Sequence, residues 1–371
     1  MCRYSRREFN IAAITSGLSA TYSYAQPPPA AEQSSKLPLT ELSAAAKQRK
    51  KHLRTTLRFY YNNPPSVSQF TPWEILHYAI AFGVDAQVRT GDQQANAIGW
   101  LCWNYPARGQ RLFSRTATGN GLVVNSGPGV EGHEGQVLAL LAMSKVRRDF
   151  VIKVNGSEFA VNDLVEHEKL ACDYSTELTF QLLGLAHYLN AETVWQSATG
   201  KEFTIESLLK SELSQQVNGA ACGGSHRLMG ISYALNRRNH REEPMTSVWL
   251  RAKKYIEDYI RYVLQLQNPD GSFSSNWFQS RGVTSDLPRK LYTSGHVLEW
   301  LVFSVSNEQL LSDQVSSAVD YLSSTLHSQR HSGLEMGTVG HALRALTIYD
   351  ERVFGAKPGM RTELYGNSTM K

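Results

Sequence analysis

Six apolar, helix-like runs each open on a histidine or a glutamate, and their spacing constrains the fold more than any other feature. They begin at Glu74 (EILHYAIAFG), His133 (HEGQVLALLAM), Glu177 (ELTFQLLGLAHYL), His226 (HRLMGISYAL), His296 (HVLEWLVFSV) and His341 (HALRALTIYD), between 44 and 70 residues apart. Recurrence at such distances marks helical hairpins that stack on one another. The runs are apolar almost all round, as buried helices are, whereas the stretches between them carry a charged face. Outer helices are read at roughly 40–61, 85–103, 247–267 and 313–327. Two more follow Gly156 and Gly200, in units that align closely and lead through Ala171-Cys172 to Glu177 and through Ala221-Cys222 to His226. Thr204 is read as the N-cap of the second of these. Six outer helices around six inner ones predict an all-α (α/α)6 toroid over residues 39–356, with an open solenoid as the alternative. Asn155-Gly156 suits a type I′ turn and predicts a small β-hairpin near residues 149–161.

The two ends read differently. Ser5-Arg6-Arg7-Glu8-Phe9, a short apolar stretch and small residues before Ala25 predict a twin-arginine export signal over 1–25, hence a periplasmic or extracellular protein. A Pro/Ala/Ser-rich linker covers 26–38, and 357–371 reads as a flexible tail. The formal net charge is +5, of which the signal contributes +2, which is too mild to argue for nucleic acid. The basic cluster Lys47 to Arg58 is read as a solvated outer face. No later run reaches the length of a membrane span, so no stable membrane anchor is expected. Oligomeric state is not legible.

One stretch carries a family resemblance. Gln267-Asn-Pro-Asp-Gly271-Ser-Phe273, closing an outer helix, resembles the glutamine–aromatic repeat of terpenoid cyclases and protein prenyltransferase β-subunits. Asp270-Gly271 is a turn by its own chemistry as well. The resemblance spans roughly residues 40–355 and implies the toroid. The acidic Asp-x-Asp-Asp motif of the squalene-type cyclases is missing. So is the Asp-x-Cys motif of the prenyltransferases, since Cys172 and Cys222 have no aspartate two residues before them. The usual chemistry of that family is therefore not implied.

In a closed ring the polar leading ends would share one mouth. His133, Glu177, His226, His296 and His341 would gather there, next to helix N-termini that favour anions and depress a histidine pKa. The sharpest local motif is Cys222-Gly-Gly-Ser225-His226-Arg227. Its glycines allow close backbone approach, and its side chains supply donor, base and cation; its structural reading is a tight turn with Ser225 as N-cap. Cys172 and Cys222 are read as reduced thiols, with a disulfide or metal binding as alternatives. No metal motif with short spacing is present, although Cys222, His226 and His296, with His133, would be chemically adequate ligands. Carboxylate pairs for glycoside hydrolysis are available among Asp173, Glu177, Glu134 and Glu299. A lyase would draw on Tyr174, His226 and Arg227. Gly127-Pro-Gly129-Val-Glu-Gly132 matches a dinucleotide fingerprint, but no alternating strand–helix pattern surrounds it. The expectation is an exported enzyme acting on an envelope or extracellular polysaccharide, with catalytic candidates His226, Arg227, Glu177, His133, His296 and Tyr174 and ligand-binding candidates Ser225, His341, Asp173, Glu134 and Glu299. The alternative is a non-catalytic binding or scaffold toroid, in which tryptophans such as Trp100, Trp103 and Trp300 could fill the centre. A prenyl or terpenoid enzyme is the least supported, and no cofactor is specified.

Overall fold

The inner helices form where the apolar runs predict them, although their starts are set by local caps. The computed structural model describes residues 42–366; the export signal, the linker and the last five residues of the tail lie outside the described residues. The inner helices are α2 (Pro72–Phe82), α4 (Gln136–Met143), α6 (Thr179–Tyr188), α8 (Ser225–His240), α10 (Leu287–Ser304) and α13 (Met336–Phe354). A reciprocal capping box between Thr71 and Glu74 opens α2, with Pro72 in the first turn. Asp286 caps α10 and Glu335 caps α13, so both helices begin well before their apolar runs. His296 and His341 therefore sit inside helices. His226 lies in a first turn, and His133 and Glu177 precede their helices.

The outer elements are α1 (Ala44–Asn62), α3 (Ala97–Cys102), α5 (Val161–Ala171), α7 (Ile205–Ser214), α9 (Ser247–Gln265) and α12 (Asp313–Ser328). Thr204 caps α7 as expected, accepting from the Ser207 N–H. The long outer helix expected over 85–103 is not formed. A 3-10 turn at Gly83–Asp85 leads instead into a hairpin, β1 (Gln87–Thr90) with β2 (Gln93–Asn96), and only then into the short α3. Val88 and Thr90 favour extended backbone, Gly91 turns the chain at φ +60°, and Asn96 then caps α3. The expected hairpin is present as β5 (Val151–Val154) with β6 (Ser157–Ala160), and Asn155 and Gly156 both have positive φ, as a type I′ turn requires. Two further hairpins pair β3 (Phe113–Arg115) with β4 (Leu122–Val124), and β7 (Trp195–Gln196) with β8 (Glu202–Phe203). Among the described residues the structure is thus mostly helical, with small antiparallel strand pairs and no helix long and apolar enough to cross a membrane.

Contacts between the inner helices run in sequence: α2 packs on α4, α4 on α6, α6 on α8, α8 on α10, α10 on α13, and α13 on α2. The Gln267 turn ties outer elements together. The Gln267 amide donates to the Gln314 carbonyl of α12 at 2.9 Å and to the Gly271 carbonyl at 3.1 Å, while Phe273 is buried. The basic face of α1 is not simply solvated. Arg49 pairs with Asp320 of α12 at 2.9 Å and Arg54 with the buried Asp350 of α13 at 3.1 Å. Nor is the whole C-terminal tail free. A short helix α14 (Arg361–Tyr365) contacts α1, Arg361 and Tyr365 are buried, and the Tyr365 hydroxyl donates to Asp350 at 2.6 Å.

Candidate functional site

Five histidines, from four helices and the loop before α4, form one contiguous cluster. Ring centres lie 5.2 Å apart for His77 and His341, 3.8 Å for His341 and His296, 5.3 Å for His296 and His226, and 5.9 Å for His226 and His133. All five line a cavity of about 870 Å3, with Trp73, Glu131, Glu134, Cys222, Tyr292, Glu335 and the Gly127–Gly132 loop among its other walls. The dinucleotide-like glycines therefore serve as one wall of this cavity.

Four of the histidines are oriented the same way. His77 Nδ1 is 2.7 Å from the Trp73 carbonyl and His296 Nδ1 is 2.8 Å from the Tyr292 carbonyl, each one helical turn back. A carbonyl only accepts, so Nδ1 carries the proton and Nε2 keeps its lone pair when the ring is neutral. His133 Nδ1 faces Glu177 at 3.3 Å and His341 Nδ1 faces Glu299 at 2.5 Å. Glu299 is buried beneath the cavity, where Arg344 pairs with it at 2.8 Å. His226 differs, because both its ring nitrogens are buried without a hydrogen-bond partner.

Burial, more than any helix end, controls the charge of these groups. It lowers His77 and His226 to about 4 and His296 to about 3, and it holds His341 well below the ordinary histidine value. His133 departs from the expected depression: its contact with Glu177 raises it, and the same contact lowers Glu177. Burial raises Glu131 to about 7. Burial also pushes the Cys222 thiol up, but His296, Tyr292 and His133 outweigh that and leave it below the usual thiol value. Cys222 is held at φ +48°, an uncommon conformation for a side chain with a Cβ. Gly223 follows at φ +65°, and a Cβ there would lie 2.1 Å from the Trp277 ring.

Several predicted residues lie elsewhere. Arg227 is buried but pairs with Glu212 at 2.9 Å, away from the cavity lining. Tyr174 stacks on Phe203 with ring centres 4.3 Å apart and is not among the lining residues. Asp173 is spent locally, accepting from Ser175 and pairing with Lys201. Ser225 is the first residue of α8 and not its N-cap; its hydroxyl donates to the Cys222 carbonyl at 2.8 Å. Cys102, Cys172 and Cys222 are all free, and Cys172 is buried with its thiol against the Glu168 carbonyl. Trp100 and Trp300 pack in the core, and Trp103 lies under Lys153, so none of them lines the large cavity. Residues missed from sequence include His77, Glu131 and Tyr292. His77 and Tyr292 had a usable signal: each sits one turn from a residue already singled out, Glu74 and His296.

No protein-family model, curated protein or solved structure matches the chain.

Proposed function

We propose that this chain is a hydrolase for a neutral polysaccharide of the cell envelope or its surroundings, exported by its twin-arginine signal and built as an (α/α)6 toroid. The unbroken succession of inner-helix contacts, returning from α13 to α2, supports the ring. One observation carries the activity: Glu131 and His133, the latter held by Glu177 at 3.3 Å, line one cavity whose described lining contains no lysine or arginine. The cavity walls carry the carboxyls of Glu131, Glu134 and Glu335, which disfavour a uronate, and Arg227, the cation a lyase would draw on, is already committed to Glu212. This speaks against the lyase alternative.

The chemistry is general acid–base hydrolysis. A carboxyl raised to about 7 remains substantially protonated at neutral pH, so Glu131 can give its proton to the departing oxygen. His133, oriented by Glu177, takes a proton from water as that water's oxygen bonds to the carbon. The scissile bond breaks with its electron pair on the leaving oxygen, and two hydroxyl ends result. Trp73 offers an aromatic face at the wall for a sugar ring. The test is release of reducing ends from neutral and from uronate glycans. Neutral glycans should be cut, with Glu131→Gln slowing turnover on the order of 100-fold at unchanged circular dichroism. Cleavage of uronate polymers, or indifference to Glu131→Gln, would contradict the proposal. Binding of neutral glycans without turnover would move the reading to a binding protein.

A further inference from the structure

We infer that Cys222, His226 and His296 hold a divalent transition metal, most suitably zinc, on the floor of the cavity. Donor atoms of the three residues all lie within 4.8 Å of one another. Zinc bonds of about 2.0–2.3 Å place tetrahedral donors roughly 3.5 Å apart, so shifts of about 1 Å would complete the site. One thiol and two imidazoles form a soft-to-borderline set, which suits zinc over magnesium or calcium.

Independent observations point the same way. His226 has both nitrogens buried and unpartnered, an arrangement that costs on the order of 1–3 kcal/mol when no ligand uses it. Around it the surroundings are those of a prepared site. Tyr292 contributes twice: its carbonyl accepts a hydrogen bond from the Nδ1–H of His296, leaving the Nε2 lone pair free, and its hydroxyl lies 3.1 Å from the Cys222 sulfur. Outer contacts of this kind orient metal ligands and fix the histidine tautomer. The αL conformation of Cys222 and the two glycines after it turn the thiol into the cavity at the start of α8. Three protein donors leave a fourth position toward the cavity for water, as catalytic zinc sites do. His133 lines the same cavity, its ring centre 5.9 Å from that of His226. Metal binding stands on this geometry alone. Its use in turnover rests on the hydrolase reading, where the ion would activate the attacking water.

The test uses the purified full chain, stripped with chelator and titrated with cobalt(II), then with zinc in competition. The expected result is one saturable site per chain with tetrahedral cobalt absorption and a sulfur-to-cobalt charge-transfer band. Cys222→Ser should abolish that band, His296→Ala or His226→Ala should weaken binding at least tenfold, and Cys172→Ser should change neither. Zinc should also slow alkylation of Cys222 by iodoacetamide. No saturable binding by a folded chain, a charge-transfer band that survives Cys222→Ser, or alkylation indifferent to zinc would each overturn the assignment. Failure of glycan hydrolysis with intact metal binding would fault the proposed substrate and leave the metal site standing.

Discussion

A Cβ added to Gly340 would sit 2.2 Å from the backbone oxygen of His77. The two residues mark the place where α13 meets α2, the last contact in the succession of inner helices. Such an approach is open only to glycine, and relieving it would push apart helices that carry His77 and His341. Gly340→Ala should therefore destabilise the protein by about 1–3 kcal/mol, read as a lower urea midpoint. It should also widen the separation of the two histidines. An unchanged midpoint would show that α13 and α2 are not held this closely.

Arg227 illustrates a residue whose chemistry looks functional in sequence and is structural in the fold. It pairs with Glu212, whose carboxylate also accepts from the Leu178 N–H and the Thr179 hydroxyl at the start of α6. Glu212→Ala leaves a buried guanidinium without its counter-ion and should cost about 3 kcal/mol. Arg227→Met should cost less, and metal affinity per folded molecule should stay within about threefold of the wild type. A large loss of affinity in folded Arg227→Met would place Arg227 back in the site.

His187 should contribute to acid sensitivity away from the cavity. It bonds the Tyr233 hydroxyl at 2.7 Å, and burial, aided by Arg237 and Arg241, lowers it to about 4. The folded protein therefore binds this proton less readily than the unfolded chain. The stability it confers is complete above pH 6.5 and is lost as pH falls toward 4, amounting to about 3 kcal/mol. His187→Gln should flatten the pH dependence of the unfolding free energy across that window, measured by urea titration at several pH values. Parallel curves for the two proteins would contradict this account.

The inner helices were legible because each is a long apolar run, and the convergence of His133, Glu177, His226, His296 and His341 followed from placing similar helices side by side. Cap positions were less legible. Asp286 and Glu335 start their helices early and move His296 and His341 inward, so the cluster is buried and not a ring of helix ends. The 85–103 segment departs from the helix its pattern suggests because Val88, Thr90 and Gly91 favour a hairpin in a stretch with mixed signals. Partner choice was not legible at all. Nothing local to Arg227 announces Glu212, fifteen residues earlier, and nothing near Glu131 announces that burial will raise its carboxyl to about 7.

The most direct test of the central claim, that this cavity is a built site with a metal on its floor, is anomalous diffraction at the zinc edge from crystals of the chain grown with zinc. The account predicts one strong peak bonded to Cys222 Sγ and to a ring nitrogen of both His226 and His296. A well-ordered map with no peak among these three residues, or with zinc bound only elsewhere, would contradict it.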